Sequence, residues 1–133
     1  MPNHLRQQIR EAVATAVTGL TSGATVSDSR VYHVESAGLP ALLVYAEAET
    51  VEYTTFSQGS RRQNRTIDMV IEAIAQATSD LEDTLDTLAK EVEVAIAGDV
   101  TLGGLAKDMR LQSTEIELEG QGEKPTGRAR MIF

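Results

Sequence analysis

Cysteine is absent from the 133 residues, so no disulfide framework, thiolate metal ligand or cysteine nucleophile can operate here. Tryptophan is absent too, and two Phe with three Tyr hold the aromatic share at 4%. The core must then be aliphatic, drawn from Leu, Val, Ile and Ala within a hydrophobic content of 41%. No run of about 18 apolar residues occurs, as a membrane-spanning helix would need. The polar opening from His4 to Arg10 is followed by no apolar stretch, so no signal peptide is read there. Positive charge is scarce: 12 Lys and Arg stand against 20 Asp and Glu, for a net charge of −8. Such a surface repels phosphate and argues against a protein that wraps nucleic acid. The length suits a single domain over residues 1–133. Composition thus reads as an acidic, soluble, cytosolic domain and names no activity.

What is present is periodicity. Leu5, Ile9, Val13 and Val17 recur every four residues and form one apolar stripe, predicting a helix over about 4–18 with Asn3 placed to cap it and Gly19 at its exit. Thr25, Val26, Val31, Tyr32 and Val34 predict a short strand within 24–34. Ala41 to Tyr53 and Gln63 to Gln76 read as two long strands. In the second, Ile67, Met69, Ile71, Ala73 and Ala75 alternate with polar residues, and Ser57-Gln58-Gly59-Ser60 supplies turn chemistry between the two. Taken as a hairpin with Phe56 opposite Arg61, the register pairs Glu52 with Arg65, Ala48 with Met69 and Ala46 with Ile71, at the cost of Glu49 against Asp68.

Ser79-Asp80-Leu81-Glu82 is a capping box and predicts a second helix over about 80–97. Its stripe is Leu81, Leu85, Leu88, Val92 and Ile96, and Gly98 ends it. Leu111 to Glu119 and Arg128 to Phe133 alternate again and predict a second hairpin. Pairing Ile116 with Met131, Leu118 with Ala129, Glu117 with Arg130 and Glu119 with Arg128 matches apolar packing and charge together. The close on Met131-Ile132-Phe133 implies a buried terminus or further residues. The order of elements predicts an α+β fold: an antiparallel or mixed sheet of about five strands, with two main helices packed on one face.

Candidate chemistry is thin. His4 and His33, the two imidazoles, have no partners at ligand spacing and read as surface histidines. Asp80, Asp83 and Asp86 fall on one outer helix face, and a solvated face accounts for them more simply than acid and base catalysis or calcium binding. Gly103-Gly104 and Gly120-Gln121-Gly122 lack the Lys and Ser or Thr of a phosphate loop and read as turns. No catalytic, metal or cofactor residues are assigned. The dense basic cluster is Arg61, Arg62 and Arg65, with Tyr53 and Phe56 beside it at the end of the long hairpin. Arg and Tyr are enriched where proteins meet, so these five residues are the candidate interface.

Several stretches resemble the tail terminator proteins of long-tailed bacteriophages, the minor tail protein U type. They are the opening His4-Leu5-Arg6-Gln7-Gln8-Ile9-Arg10, Asp28-Ser29-Arg30-Val31-Tyr32, and Gly38-Leu39-Pro40-Ala41-Leu42-Leu43-Val44-Tyr45. The hairpin with Arg65 to Ala73, the acidic second helix and the closing Gly127-Arg128-Ala129-Arg130-Met131 complete the likeness, which covers nearly the whole chain. The resemblance implies a structural virion protein, not an enzyme. Such a protein forms a homohexameric ring on the head-proximal end of the tail, stops tube polymerisation and offers the head-joining surface. Its implied partners are itself, the major tail tube protein and the head-completion (neck) protein, with assembly in the host cytoplasm and no cofactor or membrane. DNA would pass through the lumen without specific binding, which an acidic wall suits. The alternatives are another phage neck or tail-completion component, or a small acidic hydrolase.

Overall fold

The computed structural model describes residues 4–20, 23–27, 40–53, 63–76, 81–119 and 126–133, the side chains of 63, 119 and 126 apart. The elements run α1 (Leu5–Ala16), β1 (Thr25–Ser27), β2 (Ala41–Tyr53), β3 (Gln63–Gln76), α2 (Leu81–Ala97), a 3-10 turn (Leu102–Gly104), β4 (Ser113–Glu119) and β5 (Thr126–Ile132). They form one mixed five-stranded sheet in the order β1-β2-β3-β5-β4, parallel between β1 and β2 and antiparallel elsewhere. Both helices pack on the same face, as the α+β pattern requires. No helix among the described residues is long and apolar enough to cross a membrane.

The α2 stripe is buried at every expected position, Leu81, Leu85, Leu88, Val92 and Ile96. Full burial of such a side chain contributes about 2 kcal/mol. Opposite them lie Leu42 and Val44 of β2, Met69, Ile71, Ala73 and Ala75 of β3, and Ala129 and Met131 of β5. The α1 stripe is buried only toward its C-terminal end, at Val13 and Val17, and Leu5 is 40% exposed. A four-residue spacing rotates about 40° per step round a helix, so a long run of it leaves the core. Asn3 and the Ser79-Asp80 half of the capping box lie outside the described residues. The acceptor at the start of α1 is the His4 imidazole, whose Nδ1 receives the Arg6 N–H at 3.0 Å. Phe133 is buried and exchanges backbone hydrogen bonds with Met69.

Both expected hairpin registers are corrected. In the β4–β5 pair Ile116 faces Ala129, Leu118 faces Gly127, Glu115 faces Arg130 and Glu117 faces Arg128, two residues from the expected pairing. A two-residue slip keeps every side chain on its face and every glutamate opposite an arginine, so alternation cannot detect it. Gly127 decides the matter: a Cβ there would lie 2.9 Å from Leu118 Cδ2 and 2.7 Å from Leu85 Cδ1. Glycine lets both leucine tips close over the strand, and any side chain there would have to displace them.

In the β2–β3 hairpin the inner half pairs Leu42 with Ala73, Val44 with Ile71 and Ala46 with Met69. The outer half pairs Ala48 with Asp68, Glu49 with Ile67, Val51 with Arg65 and Glu52 with Asn64. A β-bulge at Glu47 absorbs the difference. It turns Glu49 away from Asp68 and onto the helix-bearing face, so the expected pairing of two acids does not arise.

Candidate assembly surface

The long hairpin reaches past the body of the sheet. β5 pairs with β3 from Gln76 to Val70, with one further backbone exchange at Met69. β1 pairs only with Ala41–Leu43 of β2. The outer halves of β2 and β3 therefore have each other as strand neighbours and, among the described residues, no third strand. Tyr53 ends β2 opposite Gln63 and is 53% exposed, and Val51 beside it is 38% exposed. Phe56, Arg61 and Arg62 lie outside the described residues.

Arg65 is braced to the body. Its Nη1 donates to Glu49 Oε1 at 3.2 Å, and Arg6 of α1 donates to the same oxygen at 3.3 Å. His4 Nε2 lies 3.4 Å from Arg65 Nη1. One carboxylate thus ties the start of α1 to the root of the projecting hairpin, and it is only 13% exposed. Partly buried ion pairs of this kind are screened less by salt than surface pairs are. Sequence reading missed the clamp, because Glu49 reaches the helix face only through the bulge. The Ala46-Glu47-Ala48-Glu49 run, where apolar alternation changes phase, was the available signal.

The opposite face of the sheet carries a row of charge. Glu72 on β3 accepts from Tyr45 Oη at 3.0 Å and lies 3.6 Å from Arg128 and 4.0 Å from Arg130, both on β5. Arg130 also pairs with Glu47. On β4, Glu115 and Glu117 flank Arg130 and Arg128 from the other side. Burial raises the Tyr45 phenol above its ordinary value, with the Arg130 hydrogen bond opposing it and Glu72 adding to it. The hydrogen bond to Tyr45 holds the Arg130 guanidinium above its own ordinary value.

The sign of the tyrosine effect can be tested. A raised phenol means that the folded state keeps the proton more tightly, so its stabilisation is complete below about pH 10 and is lost as pH climbs past that value. Tyr45→Phe is expected to cost about 1 kcal/mol near neutrality by leaving Glu72 short of a donor. It is also expected to flatten the decline of the thermal midpoint as pH rises above about 10. Parallel melts of the two proteins across that range check both effects.

β4 closes the sheet on its far side. Ile116 and Leu118 share the helix-bearing face with Ala129 and Gly127, yet they are 49% and 46% exposed. Alternation marks them as core residues, and only the strand order reveals that they sit where helix cover runs out.

A groove of about 840 Å³ lies between α1, β3 and the loop after the 3-10 turn, floored by Leu5, Ile9, Ile67, Met69, Leu105 and Phe133. Of the charges on its rim, Asp108 is held below the usual carboxylate range by Arg110, whose Nε donates to it at 2.7 Å. Asp83 and Asp86 are exposed on α2, while Asp80 and His33 lie outside the described residues. Among the described residues no three carboxylates or imidazoles converge as metal ligands do. The chemistry on offer is apolar contact and charge complementarity at two sheet margins. No protein-family model matches this chain, and no curated protein matches it either.

Proposed function

We propose that this chain is a tail-terminator-type structural protein. It assembles as a homohexameric ring on the head-proximal end of a phage tail tube, ends tube polymerisation and presents the surface to which the head-completion protein joins. The observation that carries the reading is the projecting β2–β3 hairpin, with Tyr53 exposed near its end and Arg65 clamped by Glu49 at its root. A braced arm rich in Arg and Tyr suits docking on a neighbouring subunit or on the tube, because little side-chain freedom is left to lose on contact. The resemblance in element order and wording across nearly the whole sequence supports the same reading. The net charge of −8 suits a ring through which DNA slides without adhering.

Negative-stain microscopy of tails assembled in cells lacking the protein, beside tails from the complete system, tests this. Overlong, headless tubes of irregular length are the expected result. Tails of normal length joined to heads would overturn the proposal.

A further inference from the structure

We infer that the outer edge of β4 accepts an extended segment of a partner protein, a strand that alternates basic with apolar residues and adds to the sheet opposite Glu115, Ile116, Glu117 and Leu118. This goes beyond the ring reading and stands without it.

β4 has the residue pattern of a strand with neighbours on both sides and the exposure of one with a single neighbour. It lies last in the sheet, and its outer edge faces no strand among the described residues. Every residue from Ser113 to Leu118 is exposed, the apolar Ile116 and Leu118 included. Proteins normally shorten such an edge, bulge it, or place Lys or Pro on it. β4 runs seven residues with neither Lys nor Pro, and its register with β5 is unbroken from Ser113 to Glu119. Its charges are all acidic, so the edge repels acidic strands and admits basic ones.

What the edge takes is set row by row across the sheet, because laterally adjacent side chains share a face. One row runs Glu72, Arg130, Glu115, and the neighbouring row on the helix-bearing face runs Ala73, Ala129, Ile116. The row after that sets Arg128 beside Glu117. Both arginines make their ion pairs inward, Arg128 with Glu72 and Arg130 with Glu72 and Glu47. Glu115 and Glu117 enter no ion pair with another described residue. A cation on the outer side completes the rows of Glu115 and Glu117, and an apolar side chain covers Ile116 and Leu118. β5 demonstrates the fit, since Arg128-Ala129-Arg130 carries this alternation and meets the inner edge of β4 with it. The described strands of a second copy offer nothing equivalent. β1, β2 and β4 contain no Lys or Arg, and the one cation of β3, Arg65, shares the helix-bearing face with Ile67. β4 against β4 sets glutamate beside glutamate. The match points to a different protein, held by main-chain hydrogen bonds along the edge and selected by its alternate side chains.

Three short labelled peptides, titrated with the full chain and followed by fluorescence anisotropy, test this, with amide hydrogen exchange of the protein read in parallel. The first peptide alternates arginine and valine, the second has the same composition in two blocks, and the third carries glutamate in place of each arginine. The alternating peptide is expected to bind and to slow exchange along Ser113–Glu119. The block and glutamate peptides should bind about tenfold or more weakly, because their cross-strand pairs are lost or reversed. Glu115→Gln with Glu117→Gln changes two exposed side chains, and with folding confirmed by thermal melts it is expected to weaken the alternating peptide by a similar factor. Equal binding of the block peptide would overturn the inference by reducing the contact to unspecific charge attraction. Absence of binding by the alternating peptide, or protection confined to other amides, would overturn it as well. Self-association of the chain that protects the same β4 amides would give the edge to a second copy and overturn the choice of partner. Every arm uses the isolated chain, so none of these outcomes decides whether it caps tails.

Discussion

Replacing Leu85 with alanine is expected to cost about 3 kcal/mol, within the range for emptying a fully buried leucine site, and to lower the thermal midpoint by about 10 °C for a domain of this size. Leu85 is completely buried in the middle of the α2 stripe and reaches over the β5 glycine. The side chain is the point at which helix and sheet interlock: a methyl group on residue 127 would come within 2.7 Å of Leu85 Cδ1. Gly127→Ala alone should therefore cost about 1–3 kcal/mol by overpacking, since Leu118 is half exposed and can swing outward whereas Leu85 is fully buried. In the Leu85→Ala background the same methyl enters vacated space. The two costs should then sum to less than their separate values, by about 1 kcal/mol. Urea denaturation of the four proteins measures the coupling. Strict additivity would mean that α2 and β5 do not meet at this point.

Which parts of this architecture could be read from residue order follows from what each signal measures. The α2 stripe is a long-range repeat in which every position reports the same face, and all five leucine, valine and isoleucine positions are buried as spaced. Strand alternation reports the face but is blind to even-numbered slips. The β4–β5 pairing was therefore legible in its faces and its charge matching but not in its register, which a single glycine sets by steric exclusion. The bulge at Glu47 is a different failure. It changes parity within one strand, so a uniform register carried from one end of the hairpin is wrong at the other. The margin residues show a third limit. Ile116 and Leu118 carry the pattern of core residues, and their exposure depends on β4 lying last in the sheet, a property of strand order that local periodicity does not contain. The candidate interface was legible as a type of surface, arginine with tyrosine, while the clamp that steadies it depends on Arg6, which is 59 residues from Arg65 in the sequence.

The largest functional effect should come from the double reversal Arg61→Glu with Arg62→Glu, which is expected to abolish both ring formation and tail capping while leaving the monomer folded. Folding should survive because, among the described hairpin residues, burial begins at Met69 of β3 and Val44 of β2, well inside the sheet, and the brace at the hairpin root rests on Arg65, Glu49 and Arg6, which are left in place. Assembly should fail because the chain becomes four charges more acidic at its one basic cluster. Like charges brought together at a contact cost several kcal/mol and slow encounter as well as weakening the complex. Raising the salt concentration would relieve only the part of this that acts across solvent, so partial rescue in high salt would mark a steering effect and none would mark a desolvated contact. The milder change Arg61→Lys with Arg62→Lys keeps the charge and removes the planar donor fork. If capping survives the lysine pair and is lost in the glutamate pair, the hairpin works by charge. If both pairs fail, bidentate or stacked arginine contacts are required. Unchanged ring formation and capping in the glutamate pair would show that the hairpin is not the docking element.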